Sequence, residues 1–299
     1  MKTILKNIKL PMLLVAVLTL VSSCNKNNST SNDNSIPGTS TVISNVGSNV
    51  GSNTTSNGGN STITDDSVLH DPKFNGYYAS IDTTKIGTQL LSSLQALNSQ
   101  KRRTTPGYGG LWEAYKKTDY DPNNPSKLIA FYRGTSASKD SMNREHVWPN
   151  SHGGNLVEGD VHMTRPTLSS DNSSRGNSFY VEGKNHSSNG WDPYADGMTE
   201  YYRGISARII FYCVVAAPKL QLVDLDYHAT SNKNKDYMMG KLSDLLKWNL
   251  KYDIDDTELR RNDGAQDVQG NRNPFIDDRT LACKIWGDTN STTRSICGM

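Results

Sequence analysis

Hydrophobic and polar residues divide the chain into three regions of different character. Residues 10–21 form a short apolar run behind a lysine-containing start, and residues 25–66 are almost entirely Asn, Ser, Thr and Gly. Beyond them, apolar positions recur with the regular spacing of a folded domain. The pattern predicts a leader over residues 1–24, a flexible tether over residues 25–66 and one domain over residues 67–299.

The apolar run is too short to cross a membrane, which takes roughly 20 apolar residues. It suits the central part of an export signal, and it ends at Val21-Ser-Ser-Cys24. A small residue before a cysteine at this point is typical of a bacterial lipoprotein signal. We therefore expect Cys24 to be lipidated and to anchor an exported protein at the cell envelope, on the periplasmic or the outer surface. An ordinary signal peptide with an incidental cysteine, and release from the cell, is the alternative.

Apolar spacing within the domain indicates a mixture of helices and short strands. It predicts helices over residues 84–98, 111–117, 205–217 and 242–250, and a strand over residues 128–132 followed by a loop to Asn143. Among the three cysteines of the domain, Cys213 sits in an apolar helix and is expected in the core. For Cys283 and Cys297, a disulfide and two free thiols are both open.

Net charge does not identify a binding partner. The whole chain has 32 basic and 30 acidic residues, so a surface for phosphate must come from local clusters such as Lys101-Arg102-Arg103. The cysteines show no CxxC spacing, so no zinc site is indicated.

Three polar segments are hard to explain by packing alone. They are Asn143-Arg-Glu-His-Val-Trp-Pro149, Gly159-Asp-Val-His-Met-Thr-Arg-Pro166 and Asp171-Asn-Ser-Ser-Arg-Gly-Asn177. Phosphodiester hydrolysis needs a base for water, for which histidine is suited, and a hard cation with oxygen ligands to neutralise developing charge. Arginine can hold a phosphate oxygen through its planar fork. The three segments supply all of these groups.

The adjacent Glu145 and His146 are weak evidence by themselves. Neighbouring residues of a regular strand point to opposite faces, so both can face one pocket only from a bent backbone. Pro149, three residues later, makes such a bend plausible.

The chain resembles the bacterial endonuclease I family of secreted or periplasmic nucleases, which have the ββα-metal (His-Me finger) fold. The resemblance runs from about residue 107 to residue 287. Besides the three polar segments, it rests on Leu111-Trp-Glu-Ala-Tyr115, Thr118-Asp-Tyr-Asp-Pro-Asn-Asn-Pro125, Trp191-Asp-Pro193, Gly204-Ile-Ser-Ala-Arg208, Gln269-Gly-Asn-Arg-Asn-Pro-Phe-Ile-Asp277 and Lys284-Ile-Trp-Gly287. It implies an α+β fold, with a ββα-metal core embedded in additional helices of a single catalytic domain.

The resemblance also assigns roles to particular residues. His146 matches the family's general base, and Glu145 and Asn172 match its two metal ligands. Mg²⁺ is the expected ion, with Mn²⁺ or Ca²⁺ as alternatives, and the products are expected to carry 5′-phosphates.

Several further residues are expected to assist catalysis or to bind the substrate. Arg165 and Arg175 match motif arginines, and at least one is expected to touch phosphate; the alternative is a structural pairing with Asp160 or Asp171. The other expected substrate-binding residues are Arg144, His162 and Asn177. Arg208 matches a family arginine but lies in an apolar helix, so we expect a buried ion pair there. His152 and His186 lie in polar loops and are expected to face solvent.

Together these features predict a nonspecific endonuclease that acts on DNA and also on RNA as a monomer without a protein partner. The alternative is a catalytically silent surface lipoprotein that binds nucleic acid. Such a binder has no need of both Glu145 and His146. A zinc peptidase is excluded by pattern, because the chain has no His-Glu-x-x-His.

Overall fold

A computed structural model describes residues 68–186, 190–225 and 236–299. The predicted leader, its lipidation site Cys24 and the predicted tether lie outside the described residues. All described residues belong to one compact unit, Ser61–Met299. In these described segments no helix combines the length and the apolar character needed to cross a membrane.

Helices make up most of the regular structure of this unit. They are α1 (Gly87–Lys101), α2 (Gly107–Thr118), α3 (Ser169–Arg175), α4 (Tyr202–Ala216), α5 (Leu242–Lys251), α6 (Asp256–Gln269), α7 (Pro274–Asp277), α8 (Leu281–Trp286) and α9 (Ser291–Cys297). Short 3-10 helices lie at Val68–His70, Pro72–Phe74, Lys139–Ser141, Asn150–His152 and Gly154–Leu156.

The strands form three small sheets. They are β1 (Tyr120–Asp121), β2 (Asn124–Ala130), β3 (Thr135–Ala137), β4 (Met142–His146), β5 (Thr164–Leu168), β6 (Gln221–Leu222) and β7 (Met238–Met239). Strands β1, β2 and β3 are antiparallel in that order, β4 pairs with β5 antiparallel, and β6 pairs with β7 in parallel. A bridge between Phe131 and Thr167 joins the end of β2 to β5.

Helix α4 lies at the centre of the core and is buried along its whole length. It packs against α1, α5 and α7. Its two arginines are tolerated there because each meets a buried carboxylate: Arg203 Nε lies 2.8 Å from Asp192, and Arg208 Nε lies 2.8 Å from Glu258. The predicted buried ion pair of Arg208 is thus confirmed.

The α+β class and the predicted helices are confirmed, with shifts at their ends. Helix α1 begins at Gly87, three residues after the predicted start. Ile86, which the apolar pattern placed inside the helix, has an extended backbone and is 56% exposed. The predicted loop up to Asn143 is wrong in detail, since β3 and the start of β4 lie within it. Strand β3 is short and largely exposed, so it shows no alternation of apolar and polar residues.

The three cysteines of the described residues divide into one buried thiol and one disulfide. Cys213 is free and buried in α4, as predicted. Cys283 and Cys297 form a disulfide that links α8 to α9, which resolves the open question in favour of pairing.

Candidate active site

The three polar segments meet in a unit of two strands and a helix. Strand β4 pairs with β5 in five consecutive registered pairs, from Met142 with Leu168 to His146 with Thr164. Helix α3 begins directly after β5 and packs against both strands. This order of elements is the ββα arrangement that the resemblance implies, and it brings Glu145, His146 and Asn172 into one unit.

Glu145 and His146 occupy opposite faces at the end of β4. The register continues without interruption through both residues, so the predicted bend at this point is wrong. Arg144 and His146 share one face, where both lie against the ring of Tyr108 from α2. Glu145 faces the other way. Burial has the largest influence on both side chains, raising the pKa of Glu145 and lowering that of His146; the charge of Arg175 opposes the rise at Glu145 and adds to the fall at His146.

The Glu145 carboxylate is buried and has few compensating partners. The hydroxyl of Tyr132 donates to Glu145 Oε1 at 2.9 Å, and Arg175 Nε lies 3.5 Å from the same oxygen. Burial raises the pKa of Glu145 above its ordinary value, and the opposing effects of Arg175 and Tyr132 do not cancel this rise. Additional positive charge at this position would therefore stabilise the carboxylate.

His146 has the properties of a neutral base. Burial lowers the pKa of its imidazole; Glu158 opposes this shift, while Arg175 and Arg144 add to it. Its Nε2 is itself buried, lies 3.8 Å from Glu158 Oε1 and makes no hydrogen bond within the described part of the chain. The side chain is 17% exposed and stacks on Tyr108 at 5.4 Å between ring centroids. An uncharged imidazole with an unpaired nitrogen can accept a proton.

Arg175 is a buried anchor of the unit. Its Nη2 donates to the carbonyl of Val147 at 2.7 Å, and its Nη1 donates to the carbonyl of Gly176 at 2.9 Å. Its guanidinium also stands 5.0 Å from the centre of the Tyr180 ring. These contacts do not support the predicted phosphate contact of Arg175. Neither alternative partner is correct, because Arg175 meets Glu145 instead of Asp160 or Asp171.

Arg165 is likewise engaged inside the protein. It lies opposite Glu145 on β5, but its Nε donates to Asp119 Oδ1 at 3.0 Å, and Arg261 Nε donates to the same oxygen at 3.0 Å. The side chain of Arg165 is 6% exposed. The predicted phosphate contact of Arg165 is not supported by this placement, because a structural carboxylate already holds the guanidinium. The predicted alternative partners of Arg165, Asp160 and Asp171, are also wrong, because Arg165 pairs with Asp119.

His162 and Asn177 take structural positions. His162 is buried, its Nε2 lies 3.0 Å from the carbonyl of Asn271, and burial lowers its pKa to about 4. A substrate contact of His162 is therefore not supported. The carbonyl of Asn177 accepts from His152 Nε2 at 2.9 Å, which ties the chain after α3 to the 3-10 helix Asn150–His152. The prediction that His152 faces solvent is wrong, whereas His186 is 62% exposed as predicted.

Arg144 and Asn172 remain in positions that suit their predicted roles. Arg144 is half-buried beside His146, with its guanidinium 3.5 Å above the Tyr108 ring and Nη1 donating to the Tyr108 carbonyl at 2.7 Å. Asn172 precedes Arg175 by three residues on α3, so the two side chains share one face of the helix. Since Arg175 contacts Glu145, Asn172 lies on the side of α3 turned toward Glu145.

The donor atoms of Glu145 and Asn172 fit a hard divalent cation. Glu145 offers a carboxylate short of positive charge, and Asn172 offers an amide oxygen from the same side of α3. Oxygen ligands are those that Mg²⁺ prefers, and Mg²⁺ retains several of its own waters. No group of three or more His, Cys, Asp or Glu side chains in the described segments could hold a metal.

Comparison with known proteins agrees with this geometry. The description of the matching family is Endonuclease I, and the match covers residues 84–280, which include the whole ββα unit. The chain belongs to the Endonuclease I family.

Two relatives of this Endonuclease I protein are named as ribonucleases. The chain is 38% identical over 224 residues to an extracellular ribonuclease of Bacillus amyloliquefaciens, covering 68% of this chain and 75% of the relative. It is 36% identical over 244 residues to an extracellular ribonuclease of Bacillus subtilis (strain 168), covering 70% of this chain and 80% of the relative. No solved structure matches the chain. Membership of the family makes this protein a nuclease.

Sequence reasoning missed three residues that shape the site. Tyr108 stacks on His146, Tyr132 donates to Glu145, and Glu158 stands beside the imidazole. Tyr108 and Tyr132 come from outside the polar segments, so the local pattern gave no sign of them. Glu158 directly precedes the Gly159-Asp-Val-His segment, and its closeness to that segment was an available signal.

Proposed function

We propose that this protein is a divalent-metal-dependent endonuclease that hydrolyses phosphodiester bonds of DNA and RNA with little sequence preference and leaves 5′-phosphates. The observation that carries the proposal is His146 at the end of β4, an imidazole kept neutral by burial with an unpaired Nε2, beside an undercompensated Glu145. The family supports nuclease chemistry, and the names of the two relatives support RNA as one substrate.

His146 is the proposed general base. Its Nε2 takes a proton from the attacking water, and the imidazolium that forms lies beside the carboxylate of Glu158, 3.8 Å away. Glu158 favours the charged ring, because its charge raises the pKa of His146. Arg144, on the same face of β4, is placed to attract a phosphate oxygen near the base.

Glu145 and Asn172 would hold the metal ion, with Mg²⁺ as the proposed ion and Mn²⁺ or Ca²⁺ as alternatives. A divalent cation bound there supplies positive charge that stabilises the developing charge on the phosphate and on the departing oxygen. Tyr132 and Arg175 fix Oε1 of Glu145, which keeps the carboxylate in one orientation. Little sequence preference is expected, because backbone phosphates carry no base identity.

We further propose that the protein works outside the cytoplasm. Its relatives are named extracellular, and the sequence begins with features of an export signal. A lipid anchor at Cys24 belongs to the same proposal. The chemistry needs no protein partner, so the chain is expected to act as a monomer.

A gel assay on supercoiled plasmid and on total RNA tests the proposed function. Wild type is compared with His146→Ala, each with Mg²⁺ and with excess EDTA, and His186→Ala serves as a matched control because His186 is exposed. We expect cleavage by wild type and His186→Ala with Mg²⁺ only, and a loss of about 10²–10⁴-fold for His146→Ala. If none of the proteins cuts while all of them bind DNA, the chain is a nucleic-acid-binding protein and the proposal is wrong.

A further inference from the structure

A groove on the surface of the protein lies next to the proposed base. It has a volume of about 490 Å³, and its lining includes Arg102, Arg103, Tyr108, Leu156 and Glu158. Two of these residues contact His146, since Tyr108 stacks on the imidazole and Glu158 approaches its Nε2. The groove therefore lies next to the proposed base, separated from His146 by the side chains of Tyr108 and Glu158 that line it.

The basic segment Lys101–Arg103 borders this groove and is fixed firmly to the end of α6. The backbone N–H of Arg103 donates to the carbonyl of Gln269 at 2.7 Å, and Arg103 Nη2 lies 3.1 Å from the carbonyl of Gln266. At Gly270, where φ is +91°, a Cβ atom would lie 2.6 Å from the carbonyl oxygen of Lys101. Glycine thus permits a close approach that sets the position of the basic segment before any ligand arrives.

A second opening is lined by Lys101, the first residue of the basic segment. This opening, here called the lysine recess, has a volume of about 310 Å³. Its lining is Lys73, Phe74, Asn75, Tyr77, Lys101, Gln266, Gly270 and Arg272. None of these described lining residues is acidic. The three cations rest on aromatic rings: Lys73 lies 4.9 Å and Arg272 5.4 Å from the centre of Phe74, and Lys101 lies 5.3 Å from the centre of Tyr77.

The positive charge of the lysine recess is only partly neutralised. Arg272 is fully compensated, because Asp277 lies 2.7 Å from its Nε and Asp263 lies 2.7 Å from its Nη1, and the exposed Lys73 lies 3.7 Å from Asp71. Lys101, in contrast, has no carboxylate within 4.0 Å among the described residues. The last turn of α1 is a favourable position for Lys101. Because Arg272 is compensated, the charge open to an anion comes from Lys101 and the exposed Lys73.

We propose that the lysine recess binds a second backbone phosphate of the nucleic acid whose scissile phosphate lies at His146. The substrate would follow the groove, pass the basic segment and place a phosphate between Lys73 and Lys101. This inference rests on the proposed nuclease function and adds to it a binding site remote from the reaction. Contacts to phosphate would strengthen binding through release of counterions and would leave sequence preference unchanged.

Charge reversal tests the lysine recess. The variants are Lys101→Glu and Lys73→Glu, and the control is Lys251→Glu. Lys251 is the last residue of α5, and its exposed side chain lies 5.0 Å from the centre of the Tyr252 ring. Binding of a long single-stranded oligonucleotide is measured in EDTA against salt concentration, and cleavage of that oligonucleotide and of a dinucleotide is measured with Mg²⁺. Circular dichroism confirms that each variant is folded.

Both recess variants are expected to weaken binding and to raise KM for the long oligonucleotide several-fold, without an effect on the dinucleotide. The slope of log Kd against log salt should fall by about 1 for each lost contact. If both recess variants bind and cleave like Lys251→Glu, the lysine recess is not a substrate site, while cleavage by wild type leaves the proposed function intact. If wild type cleaves nothing, the proposed function fails, and the binding measurements still decide whether the recess holds nucleic acid.

Discussion

Two buried carboxylates, Asp119 and Glu145, are compensated by neighbouring arginines to very different degrees. Asp119 is 4% exposed and meets Nε of both Arg165 and Arg261 at 3.0 Å. Glu145 is 1% exposed and has only Arg175, at 3.5 Å, and the Tyr132 hydroxyl. Burial raises the pKa of both. At Asp119 the two arginines outweigh burial and hold the pKa below its ordinary value, whereas at Glu145 the pKa stays above it.

The difference separates a structural ion pair from a candidate functional group. Asp119 is fully compensated, as the folding of a buried charge requires. Arg175 does not fully offset the burial of Glu145, which costs stability in the metal-free protein. A bound cation would supply the missing positive charge. Perturbed groups of this kind cluster at functional sites. The predictions below test whether the two carboxylates differ in this way.

Replacing Glu145 by Gln should have the largest effect on activity. The neutral amide keeps the shape but loses the charge that would hold the metal, whose stabilisation of the transition state is worth several kcal/mol. We expect a fall in kcat/KM of about 10³-fold, measured on plasmid or RNA with Mg²⁺. Unfolding by urea should show a smaller loss of stability than for Asp119→Asn, because Arg175 loses its carboxylate but keeps its bonds to the carbonyls of Val147 and Gly176. Activity close to that of wild type would rule out Glu145 as a ligand.

Replacing Asp119 by Asn should lower stability strongly and leave activity unchanged. Arg165 and Arg261 would be left buried without a counter-charge, which typically costs about 3–5 kcal/mol of unfolding free energy. Urea unfolding of the variant measures this loss. The folded fraction should keep the specific activity of wild type, because Asp119 has no part in the proposed chemistry. A catalytic defect in a stably folded Asp119→Asn protein would contradict the assignment.

Tyr132→Phe should weaken metal binding at Glu145, with a smaller effect on activity than Glu145→Gln. It removes the hydrogen bond that orients Oε1 while keeping the ring in the core. Loss of a group that orients a metal ligand typically lowers metal affinity or activity about 10–100-fold. A titration of activity against Mg²⁺ should therefore show a higher metal requirement. Tyr201→Phe, which removes a hydroxyl bonded to Glu258, is the control and should titrate like wild type.

The dependence of stability on pH should show the smallest effect. The folded protein holds a proton on Glu145 at pH values where the unfolded chain has lost it, because the folded pKa is raised. The stability contributed by this group is thus complete below the ordinary pKa of glutamate and is lost as pH rises through the folded pKa. In EDTA, the unfolding free energy of Glu145→Gln should fall less with rising pH than that of wild type. Equal slopes would show that the pKa of Glu145 is not raised.

The resemblance to the endonuclease I family, and not the apolar pattern, predicted the ββα unit, because the motif residues that carry the resemblance lie close together along the chain. The polar segment ending at Pro149 lies on β4, and the segment ending at Pro166 continues into β5. Asn172 and Arg175 then follow on α3. Periodic apolar spacing also found the buried helix α4, including the pairing of Arg208 inside it.

The partners of the arginines could not be read from the sequence because they come from distant parts of the chain. Arg165 meets Asp119, which is 46 positions away, and Arg261 reaches the same carboxylate from 142 positions away. A motif arginine looks the same whether it binds phosphate or a buried aspartate. Only its burial and its partner distinguish the two cases, and both depend on the packing of the whole domain.

Calorimetric titration of Mg²⁺ into wild type, Glu145→Gln and His146→Ala tests the central claim most directly, because it separates the metal ligand from the base. Both variants are expected to be inactive. Wild type and His146→Ala should bind Mg²⁺ with similar affinity, and Glu145→Gln should show no binding at the same protein concentration. Mg²⁺ binding by Glu145→Gln equal to that of wild type would contradict the account.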